Sequence, residues 1–186
     1  MSRFRLAPTP LNGLMLVERL RAQDARGFFS RFFCAEELAE AGFHLPIAQI
    51  NHTYTAHKGA VRGLHFQHPP YSEDKLVSCL RGEVFDVAVD LRHGSATFLR
   101  WHAEILSAEN ARSLLIPQGF AHGFQTLTDD CELIYLHSRT YAAAAEGALN
   151  VRDAALAIRW PLAFTDLSER DAQHPPLTHD FTGLRP

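Results

Sequence analysis

Cysteine is scarce in this chain of 186 residues, which contains only Cys34, Cys79 and Cys131. An odd number without paired spacing argues against a disulfide framework. Each of the three lies in an apolar stretch, where a reduced thiol packs well. We therefore expect a cytoplasmic protein.

Long apolar runs are absent as well. No stretch approaches the roughly 18 apolar residues that a transmembrane helix needs. Residues 1–11 also lack the charged-then-apolar order of a signal peptide. The sequence predicts a protein that is neither inserted in a membrane nor exported.

An excess of positive charge is missing too. The chain has 18 Lys and Arg against 21 Asp and Glu, a formal net charge of -3, and no cluster of basic residues. Binding to nucleic acid requires a basic surface that neutralises phosphates. Nucleic acid is therefore excluded as a partner.

The chain also lacks internal repeats, low-complexity tracts and linkers. Apolar residues make up 46% and charged residues 21%, which is ordinary globular usage. We expect one domain over residues 1–186, with its core within about 14–174 and an irregular, Pro-rich tail from His174 to Pro186 on the surface.

What the chain does contain is a series of short apolar segments rich in Val, Ile, Leu, Phe and Thr, separated by Gly, Pro, Asp and His. This density of strands predicts an all-β sandwich or barrel. Hairpin turns are expected at Arg81-Gly82 and Arg92–Gly94, and residues 142–145 fit either a helix or a loop. The predicted strands are Leu14–Glu18, Ala48–Tyr54, Gly63–Gln67, Lys75–Leu80, Val84–Leu91, Thr97–Leu106, Arg112–Ile116, His122–Leu127 and Cys131–Ser138, and the predicted helices are Ala35–Ala41 and Leu167–Gln173.

Polar residues interrupt two otherwise apolar segments, 61–67 and 116–124. Together these segments are similar to the two motifs of the cupin barrel, whose metal-binding members carry His-x-His and a downstream Glu in the first motif. Here Gln67, a poor metal ligand, follows His65, and Lys75 adds positive charge beside any cation. Metal binding is therefore disfavoured.

A longer ordered set of motifs is more specific. It runs through Arg26–Phe29, Gln49–His52, Arg62–His65, Pro69–Tyr71 with Lys75, Gly82–Asp90, Leu106–Asn110 and Ile116–Phe124. In this order the set closely resembles the dTDP-4-dehydrorhamnose 3,5-epimerase family. The similarity extends from about Leu14 to His174, which is nearly the whole chain.

The resemblance implies a cupin-like jelly-roll β-barrel that forms a homodimer and acts on a dTDP-4-keto-6-deoxyhexose without cofactor or metal. The chemistry agrees with elementary principles. Carbons 3 and 5 flank the ketone of such a sugar, so loss of either proton gives an enolate. A base, an acid on the opposite face and a group that stabilises the oxyanion are sufficient for epimerisation.

The resemblance also implies a role for individual residues. His65 matches the base, Asp171 the carboxylate that orients it, Tyr135 the proton donor on the opposite face, and Lys75 the cation beside the keto oxygen. Tyr141 matches a residue that stacks on the nucleotide base. The substrate-binding set implied by the family is Arg26, Gln49, Asn51, Arg62, His122, Tyr141, Glu146 and Arg170.

Three departures from the family pattern concern nucleotide contacts. Arg31 stands where an acidic residue is expected, Arg170 replaces a lysine, and Gly147-Ala148 replaces Arg-Gly after Glu146. We expect the chemistry to persist, while the exact sugar nucleotide or the number of inverted carbons can differ.

Three alternatives remain open at this point. An epimerase that inverts only carbon 3 or only carbon 5 needs the same base. A metal-dependent cupin enzyme would bind its ion at His65 and His122. A non-catalytic sugar-nucleotide binding module would keep the pocket without turnover.

Overall fold

The computed structural model describes residues 2–186 and is built mainly of antiparallel strands, so the all-β prediction is confirmed. No helix among these residues is both long and apolar enough to cross a bilayer. The strands are β1 (Phe4–Pro8), β2 (Met15–Arg19), β3 (Arg21–Asp24), β4 (Gly27–Ser30), β5 (Gln49–Thr55), β6 (Val61–Gln67), β7 (Lys75–Arg81), β8 (Glu83–Asp90), β9 (Trp101–Ser107), β10 (Arg112–Ile116), β11 (Phe120–Thr126), β12 (Cys131–His137) and β13 (Glu146–Ala148), and the helices are α1 (Ala35–Ala39), α2 (Glu169–Ala172) and a 3-10 turn (Ala143–Ala145).

The strands form two main sheets. The six-stranded sheet has the order β1-β2-β10-β7-β12-β5, and the five-stranded sheet has the order β13-β6-β11-β8-β9. A separate hairpin, β3-β4, pairs with neither. Alternation along β8 directs Val84 and Ala88 into the space between the sheets, where they pack with residues of the other sheet such as Val77 and Leu133. This arrangement is the cupin-like jelly roll.

The outer face of the five-stranded sheet is covered by the C-terminal chain. The tail after His174 is irregular, as predicted, but it is anchored more firmly than a surface segment. Leu184 is only 6% exposed and packs in a cluster with Val89 and Leu91. Its backbone N–H donates to the carbonyl of Leu91, so the tail belongs to the folded unit.

The outer face of the six-stranded sheet is covered by α1 and the segments on either side of it. Leu38 of α1 is fully buried in a cluster with Phe4 and Val17. The predicted core limits therefore omitted β1, which pairs with β2 along its whole length. Strands β3, β4 and β13 were also missed. The hairpin strands β3 and β4 pair only with each other, and β13 is too short to show an alternation pattern and pairs with the distant strand β6.

Two predicted turns have different outcomes. The expected hairpin at Gly94 is confirmed, since it joins the paired strands β8 and β9. The expected hairpin at Gly82 is wrong, because β7 and β8 belong to different sheets. Gly82 is instead a corner with φ of 74°, where a Cβ atom would lie 2.7 Å from the sulfur of Cys131.

The remaining elements were predicted with small boundary errors. The strand expected from Thr97 begins only at Trp101, because residues 95–97 turn back to donate hydrogen bonds to Asp90. Both helices are present and shorter than predicted. The undecided segment 142–145 contains the 3-10 turn.

Candidate active site

A cavity of about 630 Å³ opens between the two sheets. Its size is typical of a small-molecule site. Residues from β5, β7 and β12 of one sheet and from β6 and β11 of the other line it, together with the segment that leads into α2. The cavity therefore joins side chains that are far apart in the sequence.

A histidine–aspartate pair lies at one wall of the cavity. His65 Nε2 is 2.8 Å from Asp171 Oδ1, and the N–H of Gly63 donates to Asp171 Oδ2 at 3.4 Å. Asp171 is placed by α2, whose N-cap Ser168 accepts a hydrogen bond from the Asp171 N–H. The dyad that the family resemblance implies is thus assembled in the structure.

A close approach of backbones sets the wall on which His65 lies. Gly63 has φ of 135°, and a Cβ atom there would be 2.6 Å from the Cα of Gly123 on β11. The register between β6 and β11 shifts beside this contact, between His122 and Phe124. Only glycine allows this spacing, which pairs His65 with His122 across the two strands.

The dyad has a defined protonation pattern. Burial alone would raise the pKa of Asp171, but the hydrogen bond and charge of His65 outweigh it and lower that pKa. An ionised Asp171 accepts the Nε2 proton of His65, so a neutral ring keeps its lone pair on Nδ1. Among residues 2–186 no hydrogen-bond partner occupies that nitrogen, which leaves it free to act as a base.

Tyr135 approaches the cavity from the opposite sheet. Its ring makes an edge contact with His122, with centroids 5.9 Å apart. Burial strongly raises the pKa of the phenol, so it keeps its proton at neutral pH. The hydroxyl of Thr53 donates to the phenol oxygen at 3.5 Å. Tyr135 is thus a protonated phenol on the cavity wall opposite His65.

His122 has its own carboxylate partner. Its Nε2 lies 2.8 Å from Asp86 Oδ1, and the side chain of Asp86 is fully buried. Burial raises the pKa of Asp86, although the charge of His122 opposes this shift. The second oxygen, Oδ2, has no hydrogen-bond partner within the described residues. The pair places a polar group in an otherwise apolar part of the barrel.

Lys75 belongs to a third group of buried polar side chains. Its Nζ lies 3.0 Å from Glu73 Oε1, and the other oxygen of Glu73 is 2.9 Å from His137 Nδ1. All three side chains line the cavity. Burial alone would raise the pKa of Glu73, but the hydrogen bond from His137 and the charge of Lys75 outweigh it and lower that pKa.

Polar side chains with large exposed fractions form the rim. The Tyr141 hydroxyl donates to Glu146 at 2.9 Å, and Arg170 donates to Glu146 at 3.2 Å. Gln49 donates to Asn51 at 2.9 Å and accepts from the N–H of Tyr141 at 3.0 Å. Arg62 also lines the cavity, and its guanidinium donates to the carbonyl of Tyr54.

Two arginines that the sequence analysis singled out lie outside the cavity. They are Arg26, a predicted substrate ligand, and Arg31, which stands where the family pattern has an acidic residue. Arg26 is in the β3-β4 hairpin, where it pairs with Asp24, and it does not line the cavity of its own chain. Arg31 forms an ion pair with Glu37 of α1. The remaining residues of the implied set gather at the cavity or, for Gln49, bond directly to its rim.

A group of potential metal ligands lies around His65. The amide of Gln67 bonds to the loop that carries Tyr141, through its own donor and acceptor atoms. Within residues 2–186, ligand atoms of His65, Asp171 and His174 lie within 4.8 Å of one another. However, the guanidinium of Arg170 is 3.4 Å from His65 Nε2, and its permanent charge opposes a cation there.

The sequence analysis missed the roles of three side chains: Asp86, which pairs with His122, and His137 and Glu73, which pair with each other in the cavity wall. A signal for two of them existed. Strand alternation places His137 on the same face as Tyr135, two residues earlier. The same alternation places Asp86 on the inner face between Val84 and Ala88. The partner of Glu73 could not be found, since it depends on the contact between β12 and the chain before β7.

Comparison with known proteins gives a consistent result. The family model described as dTDP-4-dehydrorhamnose 3,5-epimerase matches residues 8–179. The dTDP-4-dehydrorhamnose 3,5-epimerase of Shigella flexneri is 42% identical over 164 residues, covering 88% of this chain and 90% of that protein. The dTDP-4-dehydrorhamnose 3-epimerase of Streptomyces niveus is 39% identical over 169 residues, covering 90% of this chain and 81% of that protein.

A solved structure matches equally well. The dTDP-6-deoxy-D-glucose-3,5-epimerase of Legionella pneumophila, in complex with dTDP-4-keto-L-rhamnose, superposes with a TM-score of 0.86. It is 41% identical, and the match covers 91% of this chain and 90% of that chain. The resemblance found in the ordered motifs is confirmed.

Proposed function

The chain belongs to the dTDP-4-dehydrorhamnose 3,5-epimerase family and is an isomerase; we propose that it inverts carbons 3 and 5 of a dTDP-4-keto-6-deoxyhexose by the following mechanism. The observation that carries this proposal is the placement of a base dyad and a buried phenol on opposite walls of one cavity. The product has the configuration of the dTDP-L-rhamnose precursor.

Proton removal is assigned to His65. Its free Nδ1 takes the proton from a carbon next to the ketone, and Asp171 stabilises the imidazolium that results. The electron pair moves onto the carbonyl oxygen and forms an enolate. The ammonium of Lys75 and the ring of His122 are the polar groups that we assign to that oxygen.

Reprotonation is assigned to Tyr135. Because its phenol lies on the sheet opposite His65, a proton delivered from it reaches the other face of the enolate and inverts the carbon. The donated proton leaves a phenolate, which accepts the hydrogen bond from Thr53. No cofactor enters this scheme, since all proton transfers use side chains of the chain.

Nucleotide binding is assigned to the rim. Tyr141 is half-exposed and held by Glu146, so its ring is available for stacking on a base. Arg62 and Arg170 supply bidentate donors for a diphosphate, and Gln49 and Asn51 supply amides.

Arg26 completes the binding set only if the protein is a homodimer. Phe28 and Phe29, in the same β3-β4 hairpin, are 56% and 67% exposed. Exposed aromatic rings of this size are typical of an interface. We propose that this hairpin packs on a second copy and brings Arg26 to its cavity. Sedimentation of the wild type and of Phe29→Asp tests the dimer.

We propose a cytoplasmic location because the cysteines are free thiols. Cys79 and Cys131 are buried in the barrel without forming a disulfide, and burial raises the pKa of Cys79 to about 12. Such thiols are inert, which suits a reducing compartment. Fractionation of cells that express the protein tests this point.

The decisive experiment incubates the purified protein with dTDP-4-keto-6-deoxyglucose in deuterated water and follows the protons on carbons 3 and 5 by NMR. Exchange at both carbons that is lost in His65→Ala supports the proposal. Exchange only at carbon 3 would place the chain with the 3-epimerases, as in the Streptomyces niveus relative. Absence of exchange in folded protein would reject the substrate.

A further inference from the structure

Glu73, whose carboxylate lies at the wall of the cavity, contacts both Lys75 and His137. The proposed mechanism gives no role to Glu73 or His137. Glu73 forms an ion pair with Lys75 at 3.0 Å and accepts a hydrogen bond from His137 at 2.9 Å. Only 8% of the Glu73 side chain is exposed. A carboxylate buried this deeply is tolerated when both oxygens are bonded to donors, and here each oxygen has its own.

The partners of His137 fix its tautomer. Its Nδ1 must carry a proton to donate to Glu73, so Nε2 of a neutral ring is an acceptor. Nε2 lies 3.3 Å from the amide nitrogen of Asn51. The oxygen of that amide accepts from Gln49, and the oxygen of Gln49 accepts from the N–H of Tyr141. Each donor in this chain of hydrogen bonds, from His137 to the N–H of Tyr141, therefore meets an acceptor.

The ring of His137 also supports Tyr135. The two residues are neighbours on one face of β12, and their rings are stacked with centroids 6.0 Å apart and planes inclined by 21°. A ring that is bonded through both nitrogens cannot rotate freely. It therefore restrains the tyrosine that packs on it.

We propose that Glu73 and His137 are positioning residues of the reaction. This proposal rests on the proposed epimerase function. Glu73 orients the ammonium of Lys75 toward the substrate's carbonyl oxygen. His137 fixes Glu73 and the Tyr135 ring on one side, and through Asn51 it orders the rim at Tyr141 on the other.

The two nitrogens of His137 have separable consequences. The Nδ1 contact leads to Lys75, which acts on the developing enolate, so its loss lowers kcat. The Nε2 contact leads to Asn51, which is assigned to substrate binding, so its loss raises KM. A residue that only fills space would not divide its effects in this way.

Amide side chains can replace one nitrogen at a time. His137→Asn places an amide donor near the position of Nδ1, and His137→Gln places an amide oxygen near that of Nε2. His137→Phe keeps the ring and removes both contacts. We expect His137→Phe to lower kcat about tenfold and to raise KM about tenfold. His137→Asn restores kcat alone, and His137→Gln restores KM alone.

His52→Phe is the matched control. His52 pairs with Glu132 at 3.0 Å across the same two strands, but on the face turned away from the cavity. Its kcat and KM stay at the wild-type values. Equal kcat and KM for His137→Phe and the wild type would overturn the proposal, as would equal losses in all three His137 variants.

A second measurement does not depend on turnover. Nitrogen NMR of the wild-type protein at alkaline pH shows which ring nitrogen of His137 is protonated. A proton on Nδ1 that is displaced in Glu73→Gln supports the proposal, and a proton on Nε2 overturns it. If the wild type does not invert the sugar, the proposed function fails while this readout still decides the hydrogen-bond arrangement.

Discussion

Histidine–carboxylate pairs occur on both sides of the barrel wall, and their geometry hardly differs. A pair on the outer face, His52–Glu132, is called the outer pair here and has an N···O distance of 3.0 Å. The inner pairs, in each of which the histidine lines the cavity, have distances of 2.8 to 2.9 Å. These inner pairs are His65–Asp171, His122–Asp86 and His137–Glu73.

Burial is what separates the two groups. The carboxylate of Glu132 is 29% exposed, whereas the three inner carboxylates are exposed by at most 8%. Water screens the outer pair, which leaves it with little energy to contribute. Where the carboxylate is buried, the same contact controls tautomer and protonation state. Chemistry in this fold therefore depends on where a pair lies more than on its distance.

Breaking the base dyad is the largest expected effect. In Asp171→Asn the amide still occupies the site, but a donor can face His65 and impose the wrong tautomer. We expect kcat to fall roughly a thousandfold with KM little changed. Steady-state assay of epimerisation checks this. Glu132→Gln is the matched change in the outer pair and keeps full activity, and a similar loss in both variants would contradict the comparison.

Removal of the acid is the next effect in size. Tyr135→Phe keeps the stacked ring but lacks the proton that the opposite face requires. Inversion should fall about a hundredfold, while His65 still exchanges substrate protons with solvent. NMR in deuterated water separates the two rates. If inversion and exchange fell together, Tyr135 would not be the donor.

Asp90 tests whether burial or position at the cavity matters for catalysis. It is buried and paired with Arg92 but does not line the cavity. Burial opposes its ionisation, yet hydrogen bonds from Arg92, Ser95 and Thr97 lower its pKa to about 2. With an unfolded pKa of about 3.9, this stabilisation is fully present above pH ~4 and is lost as pH falls towards ~2.

Asp90→Asn should therefore lower the free energy of unfolding by about 2 kcal/mol at neutral pH and flatten its decline in acid. Urea titrations at several pH values measure both. Activity at a temperature where the variant stays folded should match the wild type. Loss of activity without loss of stability would contradict the comparison, because a buried pair outside the cavity would then affect catalysis.

Sequence-based prediction succeeded where structure depends on local contacts and failed where it depends on contacts between distant parts of the chain. Strand alternation, which is local, predicted the long strands. The family resemblance implied His65, Lys75 and Tyr135 as site residues, and all three line the cavity. Prediction failed where pairing depends on distant chain: β13 is too short for a pattern, and the corner at Gly82 is indistinguishable from a hairpin in the sequence.

The smallest effect is expected at the outer pair itself. In His52→Ala the exposed hydrogen bond with Glu132 is lost, and with it, when the imidazole is protonated, an ion pair. Because solvent screens this pair, the free energy of unfolding should change by about 0.5 kcal/mol or less. The change should shrink further in high salt, since the contact is exposed. Denaturant unfolding at two salt concentrations measures this. A loss of more than about 2 kcal/mol, or any fall in kcat, would mean that the outer pair is coupled to the cavity through β5 and β12.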